Sequence, residues 1–162
     1  MTFVDTHPWK EAFVANLLER LVAQITDQGE ELLADIGLPF PSRAVSSILL
    51  IGERGSISVA DIAKTLEQPH QLVTQRIDLL IRLDVVERTV DPNDARRKIL
   101  KLTPIGRDQF KLLQLRLTQA TQVFIDLFKE IDCDLSAVAM RAMSALDQRS
   151  ITERANSLKI TQ

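Results

Sequence analysis

The fold is decided by residues 58–103, which read SVADIAKTLEQPHQLVTQRIDLLIRLDVVERTVDPNDARRKILKLT. Ser58 stands where its hydroxyl can cap a short helix, which we predict over 58–66. Pro69 then suits the first turn of a second helix over 69–83, because its missing N–H has no helical partner to lose there. Two short helices joined by a tight turn are typical of a helix-turn-helix.

The second predicted helix has an apolar face and a polar face. At the helical period, Val73, Ile77 and Leu80 fall on one side. Uncharged hydrogen-bonding side chains occupy the first turn and the other side, namely His70, Gln71, Thr74 and Gln75. Such groups near the start of a helix that enters the major groove can read base edges. We therefore predict that these four residues contact DNA; a solvated helix face is the alternative interpretation.

After the second helix, the pattern changes to the alternation typical of strands. Val86 and Val90 alternate with polar residues, Asp91-Pro92-Asn93-Asp94 forms a turn, and the alternation resumes toward Thr103. The stretch 88–107 carries six basic and two acidic residues. We predict a β-hairpin whose second arm is basic, a wing suited to contact with a polyanion.

The charged residues of the wing are assigned separate roles. Arg96 at the tip suits a narrow, A·T-rich minor groove. Arg88, Arg97 and Lys98 are predicted to contact phosphates, which position a protein on DNA. Asp94 is predicted to stabilise the wing by pairing with an arginine, because phosphate repels a carboxylate. The alternative for the basic residues is a hairpin whose charges serve solubility.

Long apolar helical patterns flank this module. We predict one helix over 9–36 and helices over 107–160, with Ser136 capping a last helix that continues past Ile151. Ser42 is predicted to cap the helix that precedes the helix-turn-helix. Part of the apolar stripe is predicted to form a homodimer interface, with an intramolecular core as the alternative. The residues assigned to this interface are Leu17, Leu21, Leu117, Phe124 and Leu127.

The composition is that of one globular domain, with 162 residues, 45% of them hydrophobic and 26% charged. With five Gly and six Pro, the chain favours long helices. The predicted fold class is therefore mainly α with a small β-hairpin wing (α+β). We expect a single domain over 1–162, with a winged helix-turn-helix module over 41–106 and dimerisation helices over 9–36 and 107–160.

Several other classes of protein are disfavoured. Cys133 is the single cysteine and cannot form an internal disulfide, and no Cys/His pair has zinc-ligand spacing. The sequence contains no Gly-rich phosphate loop, nucleophile elbow or catalytic constellation, so we expect neither an enzyme nor a cofactor. We also expect a cytoplasmic protein without a membrane partner, because the start lacks a secretory apolar region and no apolar run approaches ~20 residues.

The sequence resembles the MarR family of bacterial transcriptional regulators. The family pattern of Asp-x-Arg, then Leu-Thr, then Gly three residues later is matched in register by Asp94 to Gly106. Val85-Val86-Glu87-Arg88 matches the end of the recognition helix and the entry into the wing. Two residues depart from the family: Asp84 stands at a turn where Gly is usual, and Gln75 stands where Arg is usual. Asp tolerates a left-handed turn better than most residues, whereas Gln75 bears on which operator is read.

The resemblance implies a homodimer whose interleaved terminal helices hold two winged modules apart. It also implies control by a small amphipathic effector that lodges between the dimer helices and the winged module. We expect a sequence-specific DNA-binding regulator, a repressor acting on a pseudo-palindromic operator. The alternative is a winged-helix module that binds a protein and has no sequence-specific affinity for DNA.

Overall fold

The computed structural model describes residues 2–158. Two compact units are distinguished, the first running to Arg116 and the second starting at Leu117. In the first unit, 3-10 turns at Phe3–Asp5 and Lys10–Phe13 precede α1, and another at Ser42–Ala44 precedes α2. Its helices and strands, in chain order, are α1 (Val14–Ala34), α2 (Val45–Arg54), α3 (Val59–Thr65), α4 (His70–Arg82), β1 (Val86–Asp91), β2 (Asp94–Leu102) and the first part of α5 (Pro104–Glu130).

The predicted helix-turn-helix is confirmed in α3 and α4. Ser58 is the N-cap of α3, and its Oγ accepts a hydrogen bond from the Asp61 backbone N–H at 3.2 Å. Pro69 precedes α4 as its N-cap, so the helix begins one residue later than predicted. The turn between the helices contains Glu67 in the left-handed region, with φ of 50°.

The predicted wing is also confirmed as an antiparallel hairpin. Its register runs from Val86 opposite Leu102 to Asp91 opposite Asp94, with an irregularity beside Val90. At the turn, the backbone N–H of Asn93 donates to Asp91 Oδ1 at 2.9 Å.

A short bridge connects the wing to the chain that enters the helix-turn-helix. The Leu100 N–H donates to the Ile57 carbonyl at 2.8 Å, and the Ile57 N–H donates back at 3.3 Å. The sequence patterns did not predict this contact, because Ile57 belongs to no strand-length alternation.

The core of the first unit lies between α2, α3, α4, the hairpin and the start of α5. Its largest fully buried apolar side chains are Ile48, Ile51, Ile62, Ile77, Leu80, Leu100, Leu113, Val73, Val85 and Val86. This arrangement fixes one face of α4 against the protein and leaves the opposite face exposed.

Two local expectations near α1 and α2 are wrong. Residues 9–36 do not form one helix, since residues 10–13 form a 3-10 turn and α1 begins at Val14. The apolar spacing continues through the 3-10 turn, so periodicity alone did not reveal the change. Ser42 does not cap a helix; its Oγ donates to the Thr26 carbonyl in α1 at 3.2 Å.

The second unit contains the remainder of α5, then α6 (Leu135–Gln148) and α7 (Ile151–Ser157). Asp134, not Ser136, caps α6, with its Oδ1 accepting from the Ala137 N–H at 2.9 Å. Ile151 starts a separate helix because Ser150 and Glu153 form a capping box there. The last two residues of the predicted 107–160 segment lie outside the described residues.

None of the helices within residues 2–158 combines the length and apolar character that a membrane crossing requires.

Candidate nucleic-acid interface

The exposed face of α4 carries three of the four residues predicted to read bases. Val73 and Ile77 are completely buried, which directs the side chains of His70, Gln71 and Gln75 outward, and all three are exposed. Between residues 70 and 75 the helix carries no acidic side chain. The start of this face therefore presents amide and imidazole groups, and the carboxylate of Asp78, further along α4, is paired with Arg88.

Thr74, the fourth predicted residue, is half-buried and engaged with its own helix. Its Oγ1 donates to the His70 carbonyl at 2.9 Å and lies 3.4 Å from His70 Nδ1. Because the hydroxyl proton is used within the helix, Thr74 presents a methyl group and an acceptor oxygen to a ligand.

The Arg76 side chain points toward the turn between α3 and α4. Its guanidinium donates to Gln68 Oε1 at 2.5 Å. Partial burial lowers the pKa of Arg76 below its ordinary value, and the nearby charge of Arg43 adds to this effect. Both observations indicate an arginine whose side chain lies against the protein instead of reaching a base.

Two of the predicted wing cations are engaged inside the module. Arg88 donates to Asp78 Oδ1 of α4 at 3.0 Å. Arg97 forms an ion pair with Asp61 of α3, and its Nε lies 4.0 Å from Asp91 Oδ2. The Arg97–Asp61 pair spans 36 positions of sequence, so local patterns gave no sign of it. These arginines hold the wing against α3 and α4.

This arrangement stabilises the ionised form of the Asp61 carboxyl. A hydrogen bond from the Ser58 hydroxyl at 2.7 Å lowers the pKa of its carboxyl, and the charge of Arg97 lowers it further. The carboxylate that anchors the wing is consequently ionised across the neutral pH range.

Arg96 and Lys98 differ from their neighbours on β2. Both side chains are exposed, and neither forms an ion pair with any residue in the described part of the chain. Arg96 uses its backbone N–H to donate to Asp94 Oδ1 at 3.0 Å. The prediction that Asp94 pairs with an arginine is corrected accordingly: it stabilises the turn through the amide of Arg96, not through a guanidinium.

The residues assigned to a dimer interface are incompletely covered within the single chain. In the first unit, Leu17 and Leu21 on α1 remain 41% and 36% exposed. In the second unit, Leu117, Phe124 and Leu127 are half-buried, and the Phe124 ring lies 6.1 Å from that of Phe128.

One exposed residue at this face was missed from the sequence. Leu72 follows Gln71 in the first turn of α4 and is 38% exposed. The available signal was its position outside the stripe formed by Val73, Ile77 and Leu80.

The fold and the exposed surfaces of α4 and the hairpin define a winged helix-turn-helix protein. The profile of the MarR family matches residues 37–97. The HTH-type transcriptional regulator PapX of Escherichia coli is 26% identical over 128 residues, which cover 79% of this chain and 76% of PapX. Residues 37–97 are thus similar to the MarR family, in agreement with the resemblance noted in the sequence.

Solved structures have the same fold. A Staphylococcus aureus MepR–DNA complex superposes with a TM-score of 0.66 at 19% identity, over 82% of this chain and 97% of that one. A mutant E. coli MarR in complex with operator DNA gives 0.57 at 21% identity, over 89% and 99% of the two chains. BldR from Sulfolobus solfataricus gives 0.60 at 16% identity, over 91% and 99%.

Proposed function

We propose that this protein is a transcriptional regulator that binds DNA sequence-specifically as a homodimer on a pseudo-palindromic operator and represses transcription in the cytoplasm. The observation that carries the proposal is the set of exposed, uncharged hydrogen-bonding side chains at the start of α4, together with a wing on which Arg96 and Lys98 have no ion-pair partner among the described residues. The DNA-bound structures of MepR and MarR, which share this fold, support it.

The chemistry of the face fits base reading in the major groove. A glutamine amide donates and accepts at once, so Gln71 or Gln75 can bind the N6 and N7 edge of adenine in a bidentate manner. Exposed His70 lies at the edge of the same face, and Thr74 offers an acceptor oxygen. These groups supply selectivity among bases, and the wing supplies electrostatic attraction to the phosphate backbone of DNA.

The wing cations have different expected contributions. Arg96 inserts into the minor groove, where a narrow A·T-rich segment concentrates negative potential. Lys98 contacts phosphate and releases counterions, which makes binding dependent on salt. Arg88 and Arg97 add positive charge near the backbone while their carboxylate partners hold them in the module.

Dimerisation accounts for the exposed leucines. Leu17 and Leu21 would be covered by a second copy, and Leu117, Phe124 and Leu127 would complete their burial in the same way. A two-fold dimer presents two α4 helices to half-sites one DNA turn apart, roughly 34–36 Å.

An effector that relieves repression would need an apolar site with a polar end. An open groove on α1 has this character, since apolar Leu18 and Val22 line it together with the charged Glu19 and Arg43. It fits a small amphipathic molecule. Such a ligand relieves repression only if it binds the DNA-free spacing of the modules more tightly than the DNA-bound spacing.

Selection from a pool of random duplexes, followed by mobility shift at increasing salt, tests the proposal. We expect a symmetric consensus and affinity that falls steeply with salt. Gln71→Ala and Gln75→Ala should change the preferred bases, whereas Arg96→Ala should lower affinity for every duplex. Retention of all duplexes alike, or of none, would favour the protein-binding alternative.

A further inference from the structure

Leu72 combines a large apolar side chain with an exposed position at the start of α4. Within α4, all of which the structure describes, Val73, Ile77 and Leu80 are completely buried, while Leu72 is 38% exposed. Residues three apart are neighbours on a helix surface, so Leu72 lies beside Gln75. An apolar group thus interrupts the hydrogen-bonding face at the end that would enter the groove.

The surroundings leave this side chain accessible. Arg76, four residues on, has a stem long enough to cover Leu72 in principle, but its guanidinium is bound to Gln68 at 2.5 Å. No charged residue stands between Pro69 and Gln75. The space outside Leu72 is therefore suited to an apolar contact flanked by amides.

The major groove offers one apolar group among its hydrogen-bonding edges, the C5 methyl group of thymine. A glutamine that binds adenine and a leucine that contacts a thymine methyl read the two kinds of base in A·T pairs. We propose that Leu72 is a specificity-determining residue that packs on a thymine methyl in each operator half-site. This inference rests on the proposed DNA-binding function and adds a contact made without hydrogen bonds.

Replacing thymine by uracil removes this methyl and leaves the pairing edges unchanged, which makes it a direct test. Duplexes that the wild-type protein selects from a random pool are synthesised again as a series. In each member of the series, one thymine and its symmetric counterpart in the other half-site are replaced by uracil. We expect one replacement to weaken wild-type binding about fourfold per half-site, the value for one buried methyl-sized group. Leu72→Ala should bind the thymine duplex more weakly and should not distinguish it from the uracil duplex.

Three variants serve as controls. Leu72→Met keeps an apolar side chain of similar reach and should retain the difference between thymine and uracil. Val90→Ala removes apolar surface from an exposed residue of the wing and should retain it too. Gln71→Ala should change base preference at another position while the thymine effect persists. Thermal unfolding of each variant establishes that the module is folded.

The outcomes separate the two proposals. If wild-type protein selects a consensus but no uracil replacement distinguishes it from Leu72→Ala, the role of Leu72 is overturned and DNA binding stands. If no duplex is selected at all, the proposed function itself fails, and the inference about Leu72 with it.

Discussion

Gly106 lies where the first turn of α5 meets the backbone of the α4–β1 junction. A Cβ at this position would be 1.9 Å from the Val85 carbonyl oxygen. Buried Thr103 ties the same junction together: its Oγ1 donates to the Asp84 carbonyl at 2.5 Å and accepts from the Gly106 N–H at 2.9 Å. The Leu-Thr-x-x-Gly pattern that marked the family therefore has a structural cause, a close crossing of two backbones.

Gly106→Ala should consequently lower the free energy of unfolding by about 2–3 kcal/mol, because backbone must move to admit the methyl group. Gly29→Ala is the matched control within α1, where the new Cβ meets Ser42 at an ordinary 3.4 Å. It should stabilise the helix by up to about 1 kcal/mol. Urea denaturation measures both, and equal effects of the two substitutions would refute the close crossing.

Ser47 is completely buried in α2, and its hydroxyl has no hydrogen-bond partner in the described part of the chain. Ser47→Ala should leave the free energy of unfolding unchanged or raise it by about 1 kcal/mol, since it removes an unsatisfied buried group. Half-buried Ser46 lies beside it in the same helix, so Ser46→Ala reports the effect of helix propensity alone. A clear loss of stability specific to Ser47→Ala would mean that the hydroxyl is bonded after all.

Single residues also show where sequence reasoning succeeds and where it stops. Asp84 was expected to take the left-handed turn usually given to Gly, and its φ is 55°. The partner of Arg97 could not be predicted, because Asp61 becomes its neighbour only when the hairpin folds back on α3. The exposed face of α4 followed from periodicity, whereas the exposure of Leu72 depends on how α4 is seated in the core.

At the scale of elements, the wing is a hairpin that contacts α3 and α4 through some of its arginines and leaves other cations exposed. Arg88 and Arg97 attach it to α4 and α3, and the Ile57 bridge adds two backbone hydrogen bonds. Arg96 and Lys98 stay exposed. The same kind of side chain thus has two roles on one hairpin, decided by whether a carboxylate lies within reach.

Arg96→Ala and Arg97→Ala should therefore weaken DNA binding in different ways. Arg96→Ala should reduce the salt dependence of affinity by about one phosphate-equivalent per subunit and leave the wing ordered. Arg97→Ala should increase hydrogen exchange of the wing amides and reduce the salt dependence less. If Arg97→Ala leaves exchange unchanged and lowers the salt slope as much as Arg96→Ala, Arg97 contacts phosphate directly and its anchoring role is wrong.

The ion pair between Arg97 and Asp61, which anchors the wing, should weaken when the pH falls and not when it rises above neutral. Because the folded state lowers the pKa of Asp61, its ion pair with Arg97 is fully formed at neutral pH and is lost as pH falls through that lowered pKa. Hydrogen-exchange rates of the wing amides, once corrected for the pH dependence of base-catalysed exchange, should show the same degree of protection from pH 6 to 8. Asp61→Asn should show the loosened wing at neutral pH, and unchanged protection in that variant would contradict the anchor.

Element boundaries were predictable where a cap or turn residue stood at them. Ser58 and the Asp91–Asp94 turn gave the start of α3 and the hairpin. The 3-10 turn at Lys10–Phe13 was missed because apolar spacing does not distinguish it from α-helix. The break before Ile151 carried a signal, the Ser150–Glu153 capping box, that the continuing apolar pattern obscured.

At the scale of the whole molecule, charge and apolar surface are distributed for two kinds of contact. The N-terminal 40 residues carry 2 basic and 7 acidic side chains, whereas the stretch 88–107 is basic, so a net charge of -2 conceals a polarity along the chain. Exposed Leu17 and Leu21 lie on α1 in the acidic segment, away in sequence from the basic wing. The apolar residues proposed for dimerisation and the basic residues proposed for DNA contact therefore belong to different elements of the chain.

Hydroxyl-radical footprinting of a selected duplex tests the account most directly, because it reports both the groove contacts and the number of modules bound. We predict two symmetric protected segments with centres roughly 34–36 Å apart, flanked by minor-groove protection that Arg96→Ala removes. A single asymmetric segment, or protection that Arg96→Ala leaves intact at every position, would contradict a dimer that reads DNA with α4 and the wing.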